Sequence, residues 1–251
     1  MSNVPRDLDR NREPFAARAD FCERITLPRH GVQPVANGDG VEVESAVEAY
    51  KSLRTRVMRI RESRGIGSVA ITSAAHSDGK TLTSFNLACS CAHLPDLEIL
   101  LVDADLRTAG LTHLIGAQCT YGLRDALGGN VSFGGAIVAT DLPNLCFLAA
   151  GMGEESPAEI FAGRAWAEFM EWATASFGLV LIDAPPVGVV ADFSLIESAC
   201  HGTLVVVRAH RTVGRVLEQG MEQLDSKKLI GVVWNEADPK PEGYGYDYYK
   251  A

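Results

Sequence analysis

Long apolar runs are missing from this sequence. No stretch reaches the roughly 18 uninterrupted apolar residues that a membrane-spanning helix requires. The N-terminus carries no apolar segment of the kind that marks a secretory leader. The expectation is a cytoplasmic protein. Paired cysteines are missing too. Cys22, Cys89, Cys91, Cys119, Cys146 and Cys200 are scattered, mostly among apolar neighbours, and form no C-x-x-C. This argues against zinc ribbons and disulfide frameworks and for buried free thiols. The six histidines, His30, His76, His93, His113, His201 and His210, show no metal-ligand spacing. An excess of positive charge is also lacking: 23 Lys and Arg stand against 32 Asp and Glu, a formal net charge of −9. A general nucleic-acid-binding surface is therefore not expected. Apolar residues are plentiful, at 47% of 251, which suffices for one large α/β domain or two small ones.

Residues 1–40 are polar and mixed in charge, with Pro5, Pro14, Pro28, Pro34 and a Gly38-Asp39-Gly40 turn. They read as a flexible arm. In 42–62, Val47, Tyr50, Leu53, Val57 and Ile60 fall at helical spacing, and Glu48, Lys51, Arg54, Arg56, Arg59 and Arg61 occupy the other faces. This amphipathic, basic helix either packs on the body of the protein or docks an acidic partner or a second copy. From residue 67 the pattern alternates. Apolar runs at 67–73, 98–103, 144–149, 178–183, 202–207 and 229–234 are rich in Val, Ile and Leu, as buried parallel strands are. Helical segments are expected at 80–93, 157–176, 192–200 and 212–225, with Trp166, Phe169 and Trp172 as core contacts. The fold class is α/β: a mostly parallel sheet with helices on both faces, whose chemistry lies beyond the C-terminal strand ends.

Val69-Ala70-Ile71-Thr72-Ser73 leads through Ala74-Ala75-His76-Ser77-Asp78 into Gly79-Lys80-Thr81 and a helix. Strand, tight loop and helix start form the layout of a phosphate-binding P-loop, with Ala74 where the first Gly of the pattern would stand. Lys80 would face the β- and γ-phosphates, and the Thr81 hydroxyl would help to hold Mg²⁺. Two further strand ends are acidic. Asp103 and Asp105 leave one strand end at i and i+2, and Asp183 ends another apolar run before Ala184-Pro185-Pro186. Such carboxylates can support a metal and accept a proton. Four of the six tyrosines, Tyr244, Tyr246, Tyr248 and Tyr249, lie in the last eight residues among Gly and Asp. That tail is expected to be flexible. It reads as a substrate segment or as a sticky partner-binding end. The expected organisation is arm 1–40, P-loop domain 41–240 and tail 241–251.

These features together resemble the bacterial tyrosine kinases of capsule and exopolysaccharide systems (BY-kinases), over roughly residues 42–251. Thr72-Ser73…Gly79-Lys80-Thr81 resembles the Walker A motif of that family and Asp103-Ala104-Asp105-Leu106-Arg107 its Walker A′ motif. Ile182-Asp183-Ala184-Pro185-Pro186 with Asp192 resembles its Walker B region. Val206-Val207-Arg208…Thr212 and Gly231-Val232-Val233-Trp234-Asn235 are similar to its later strands, and the tyrosine tail to its tyrosine cluster. The resemblance implies a P-loop NTPase-like fold and an ATP- and Mg²⁺-dependent autokinase. It implies Lys80, Asp103, Asp105 and Asp183 as catalytic residues, and Ser77, Asp78, Gly79, Lys80, Thr81, Leu82, Arg208 and Asn235 as nucleotide contacts, Asn235 being a candidate for the adenine. The metal set would be Thr81, Asp103, Asp105 and Asp183, and the acceptors Tyr244, Tyr246, Tyr248 and Tyr249. Glu48, Lys51 and Arg54 would assemble a homo-oligomeric ring. A membrane chain-length or co-polymerase protein would recruit the chain to the inner face of the membrane and activate it, linking it to polysaccharide polymerisation and export. The sequence departs from the family pattern at Ser77, where Gly is usual, at Thr108-Ala109, where Arg-Pro is common, and at Lys51, where Arg is usual. A nucleotide-binding regulator without kinase activity is the alternative. A MinD/ParA-like switch would carry a lysine where Ala75 stands. A GTPase would read its base through Asn235…Asp238, but the Lys that usually follows that Asn is absent.

Overall fold

The computed structural model describes residues 23–28, 40–188 and 190–237. Most of the expected N-terminal arm and the tyrosine tail lie outside the described residues. Among the described residues eight strands form one sheet: β1 (Arg24–Ile25), β2 (Ser68–Ser73), β3 (Ile99–Asp103), β4 (Val138–Thr140), β5 (Leu145–Leu148), β6 (Leu179–Asp183), β7 (Gly202–Arg208) and β8 (Leu229–Asn235), in the order β1-β4-β5-β3-β6-β2-β7-β8. The apolar runs read from the sequence become β2, β3, β5, β6, β7 and β8, all mutually parallel. Every residue of β2, β3, β5 and β6 is buried, which is why these strands read as continuous rather than alternating apolar runs.

Helices cover both faces. On one face lie α1 (Gly40–Arg64), α2 (Lys80–Ala92) and α3 (Gly110–Ile115), packed through Val57, Phe85, Leu87 and Leu111 onto the face of the sheet that carries Val69, Ile71, Leu101 and Leu181. The other face holds α4 (Leu123–Leu127), α5 (Pro157–Ala162), α6 (Arg164–Ser176), α7 (Asp192–Ser198) and α8 (Gly214–Glu222). Trp166 and Phe169 are fully buried there and stack at 5.6 Å, while Phe161 meets Trp166 edge-on. Each such ring contributes about 1.5–3 kcal/mol by burial.

Three details differ from the sequence reading. The helix expected over 157–176 is two helices, because Gly163 adopts extended backbone (φ −69°, ψ 153°) between α5 and α6. β4 was not anticipated, and it runs antiparallel to β5. Within the expected arm, residues 23–28 contribute β1. It pairs with β4, the Leu27 amide donates to Asp141, and the Leu27 side chain is buried in the core. Two anchoring residues, Ile25 and Leu27, in so short a segment leave too little periodicity to read. Of the described cysteines, Cys89, Cys91, Cys119 and Cys200 are free thiols, and Cys146 is buried in the core. No helix among the described residues is long and apolar enough to cross a membrane.

Candidate nucleotide-binding site

Parallel β2, β3 and β6 deliver their C-terminal ends to one edge, with Ile71 level with Asp183 and Asp103 level with Asp183 across the sheet. The loop 74–79 joins β2 to α2. Ser77 and Gly79 both take left-handed backbone (φ 65° and 97°), the conformation suited to Gly. The Ser77 departure therefore falls at a position where the chain needs positive φ. The first turn of α2 contains no acidic residue, so the positive end of its dipole is left for an anion.

Lys80, at the helix start, is buried and points its ammonium at Asp105 Oδ2 (2.8 Å) and Asp183 Oδ2 (3.6 Å). The Thr81 hydroxyl donates to Asp183 Oδ2 at 2.8 Å. Ser84 Oγ, one turn on, lies 3.0 Å from Asp183 Oδ1. Asp103 Oδ2 accepts from both the amide and the hydroxyl of Thr112, each at 2.7 Å, whereas its buried Oδ1 has no partner among the described residues. The electrostatics follow from this placement. Burial, then the neighbouring Asp183 carboxylate, pushes Asp103 up to about 7 against the two Thr112 bonds. Burial raises Asp183 as well, despite Lys80, Thr81 and Ser84. Asp105 would be raised by burial too, but the charge and hydrogen bond of Lys80, aided by Thr108, hold it below the usual carboxylate range. Lys80, which burial alone would lower, is raised by Asp183 and Asp105.

Three carboxylates face one ammonium here, and one carboxylate oxygen is orphaned. An excess of buried negative charge of this kind is relieved by a cation. Among the described residues no group of three or more His, Cys, Asp or Glu side chains is arranged to hold a metal unaided. Mg²⁺ fits such a site, since it takes one or two carboxylates and completes its shell with water and substrate phosphate. Thr81 and Asp183 supply hard oxygen donors, with the Asp103 carboxylate beside them. Asp105 is engaged with Lys80.

Sequence reasoning placed Lys80, Thr81, Asp103, Asp105 and Asp183 together, and the structure brings them together. The remaining candidates sit around the loop. The Asp78 side chain is turned into the loop, accepting from the Ala75 amide (2.9 Å) and the Thr212 hydroxyl (2.8 Å). Asn235, weighed as an adenine contact, donates to the Asp78 carbonyl at 2.9 Å. Arg208 pairs with Glu236 and reaches the Ser77 carbonyl. Leu82 is half-buried on α2. Arg107 forks onto buried Asp192, with Nε at 2.6 Å and Nη2 at 3.2 Å. His76 is exposed. Of the ring candidates, Glu48 and Lys51 pair on the exposed face of α1, while Arg54 donates to the Ser90 carbonyl at 2.7 Å within its own chain. Ser84, Thr112, Thr212 and Glu236 were not singled out from sequence as parts of the site. Ser84 could have been, four residues after Lys80 on one helix face. The others arrive by tertiary turns.

A parallel sheet with this loop, its lysine and its acidic strand ends defines a P-loop nucleotide-binding protein of the α/β class. Comparison narrows the class. No family model matches the chain. It is 30% identical over 210 residues to the tyrosine-protein kinase CpsD of Streptococcus agalactiae, covering 82% of this chain and 90% of that one. It is also 30% identical over 231 residues to the putative tyrosine-protein kinase EpsB of Ralstonia solanacearum, covering 91% of this chain but only 30% of that relative's length. The solved kinase domain of the Escherichia coli tyrosine kinase ETK shares the fold, with a TM-score of 0.72 at 24% identity over 88% of this chain and 94% of that domain. The chain belongs to the bacterial tyrosine-protein kinases.

Proposed function

We propose that the chain is an ATP- and Mg²⁺-dependent tyrosine autokinase whose acceptors are Tyr244, Tyr246, Tyr248 and Tyr249. The observation that carries this reading is the juxtaposition of Lys80, Thr81 and Asp183 with the pair Asp103 and Asp105 at one sheet edge. Bound Mg²⁺–ATP would supply the phosphoryl group and neutralise part of the charge that builds up during its transfer. The Thr81 hydroxyl and Asp183 would hold the metal, with Ser84 fixing the Asp183 carboxylate. Lys80 would exchange its longer contact with Asp183 for the β- and γ-phosphates, and the α2 N-terminus would add its dipole. Asp103, held near neutrality by burial and oriented by Thr112, accepts the proton of the incoming tyrosine hydroxyl. A base with a pKa near the working pH is well matched to that step. Asp105 keeps Lys80 charged and aimed. The acceptor tyrosines lie outside the described residues. Resemblance extends the proposal to regulation of polysaccharide polymerisation and export, with a membrane co-polymerase protein as activator and a ring as the working assembly.

Mass spectrometry after incubation with Mg²⁺–ATP tests the reading. Wild type is expected to carry phosphate within residues 244–249. Lys80→Ala is expected to carry at least a hundredfold less, since both phosphate neutralisation and loop geometry are lost. An unphosphorylated wild type, even beside its membrane partner, would leave a nucleotide-binding regulator.

A further inference from the structure

The phosphate loop is gripped from its far side by the ends of β7 and β8. Arg208 Nη1 donates to the Ser77 carbonyl at 3.2 Å, and Asn235 Nδ2 donates to the Asp78 carbonyl at 2.9 Å. Glu236 holds the Arg208 guanidinium through two contacts of 2.6 Å, Nε to Oε2 and Nη2 to Oε1. Thr212 completes the brace, with its hydroxyl 2.8 Å from Asp78 Oδ1 and 2.9 Å from the Arg208 amide.

The effect on the loop follows from peptide geometry. In a trans peptide the carbonyl and the following N–H point to opposite sides, and no peptide here is cis. Pulling the carbonyls of Ser77 and Asp78 outward therefore turns the amides of Asp78 and Gly79 inward, to the side where a phosphate is received. This chain has particular need of such a hold. Ser77 stands at φ 65° where a residue with a Cβ is disfavoured. Asn235 lies so close to Gly79 that an added Cβ would meet its Nδ2 at 2.2 Å. Glu236, itself at φ 52°, lies eight residues before Tyr244, the first of the four tail tyrosines.

We propose that Glu236, acting through Arg208 and beside Asn235, is a positioning latch that ties the root of the tyrosine-bearing segment to the phosphate loop. The proposal rests on the nucleotide-binding reading and adds coupling to it. Nucleotide affinity depends on the latch, and by linkage nucleotide steadies the root by the same factor.

The full chain tests this, as wild type, Glu236→Gln, Arg208→Gln and the double variant, titrated with a fluorescent ADP analogue. Each single variant is expected to raise Kd about three- to tenfold. The double variant is expected to bind no more weakly than the weaker single, because the two residues act as one unit. Glu236 is 44% exposed, so thermal midpoints are expected to match wild type. In wild type, ADP is expected to slow amide hydrogen exchange over residues 230–237, and Glu236→Gln to abolish that slowing. Unchanged Kd in both single variants, or additive losses in the double, would overturn the latch while leaving nucleotide binding intact. A wild type that binds no analogue would remove the nucleotide reading itself, and the latch with it.

Discussion

Asp103 shows how a single residue links site chemistry to stability. Its carboxyl is pushed to about 7, whereas an unfolded chain titrates it near 3.9. Between those values the folded protein keeps a proton that the unfolded chain releases. Stability therefore falls as pH rises from about 4 to about 7 and levels above that. Asp183, also raised, acts in the same sense, and Asp105, held low, acts only below this window. Asp103→Asn is expected to flatten the slope. Urea denaturation without nucleotide or Mg²⁺ should find it more stable than wild type at pH 8 and about equal near pH 4, while phosphorylation is lost. An unchanged slope would assign the titration to another group. The residues that carry this chemistry were readable from where the strands end: Asp103 and Asp183 close the apolar runs of β3 and β6, Asp105 follows two residues after Asp103, and Lys80 and Thr81 open α2 after the short loop that leaves β2. Thr112 was not readable. It reaches Asp103 only because Ala109 turns the chain through left-handed backbone (φ 47°) into α3.

At the scale of elements, legibility followed length. The five- to seven-residue strands β2, β3, β6 and β7 of the core, and the edge strand β8, which is only partly buried, announced themselves by runs of Val, Ile and Leu, and the four-residue β5 did so within a longer apolar run. β1 and β4, of two and three residues, and the short helices α3 and α4 contain too few residues for a period to emerge. Yet α4 bears on the site. Its first amides, of Leu123 and Arg124, donate to the carbonyls of Ala149 and Ala150 at the exit of β5. The Ala150 amide in turn donates to the Thr112 hydroxyl that holds Asp103. The close approach requires Gly122, since a Cβ there would lie 2.2 Å from the Gly151 nitrogen and 2.7 Å from the Ala149 carbonyl oxygen. Both clashes are with backbone, which has no rotamer to give. Gly122→Ala is expected to cost about 2–4 kcal/mol, seen as a fall in thermal midpoint of roughly 5–12 °C. A change below about 2 °C would mean that the β5 exit shifts freely, and Thr112 would then not be fixed by this route.

The whole molecule is read through its charge. A net charge of −9 coexists with a basic helix, α1, whose Arg56 and Arg59 are exposed and whose Lys51 and Glu48 pair at the surface. Arg54, bound to Ser90 of its own chain, is withdrawn from any contact between copies unless that bond is given up. Self-association through this helix would then rest on exposed charges, so salt should weaken it within about one Debye length, ~10 Å at 0.1 M. Phosphorylation adds about −1.5 to −2 per tyrosine, or about −6 to −8 for four, which takes the chain from −9 to about −15 to −17. Copies held together by a basic face meeting acidic surface would gain local attraction from phosphate only at that face. Everywhere else the added charge raises mutual repulsion, and the net balance moves toward separate chains. Light scattering after size separation, at about 50 mM and about 500 mM salt, checks this. The unphosphorylated protein is expected to exceed its 26.9 kDa chain mass at low salt. The phosphorylated protein, and Lys51→Glu, are expected to approach that mass. A phosphorylated sample that grows larger instead would mean that phosphate binds the basic face of a neighbour more strongly than total charge drives the copies apart, making the modified tail an adhesive rather than a release signal.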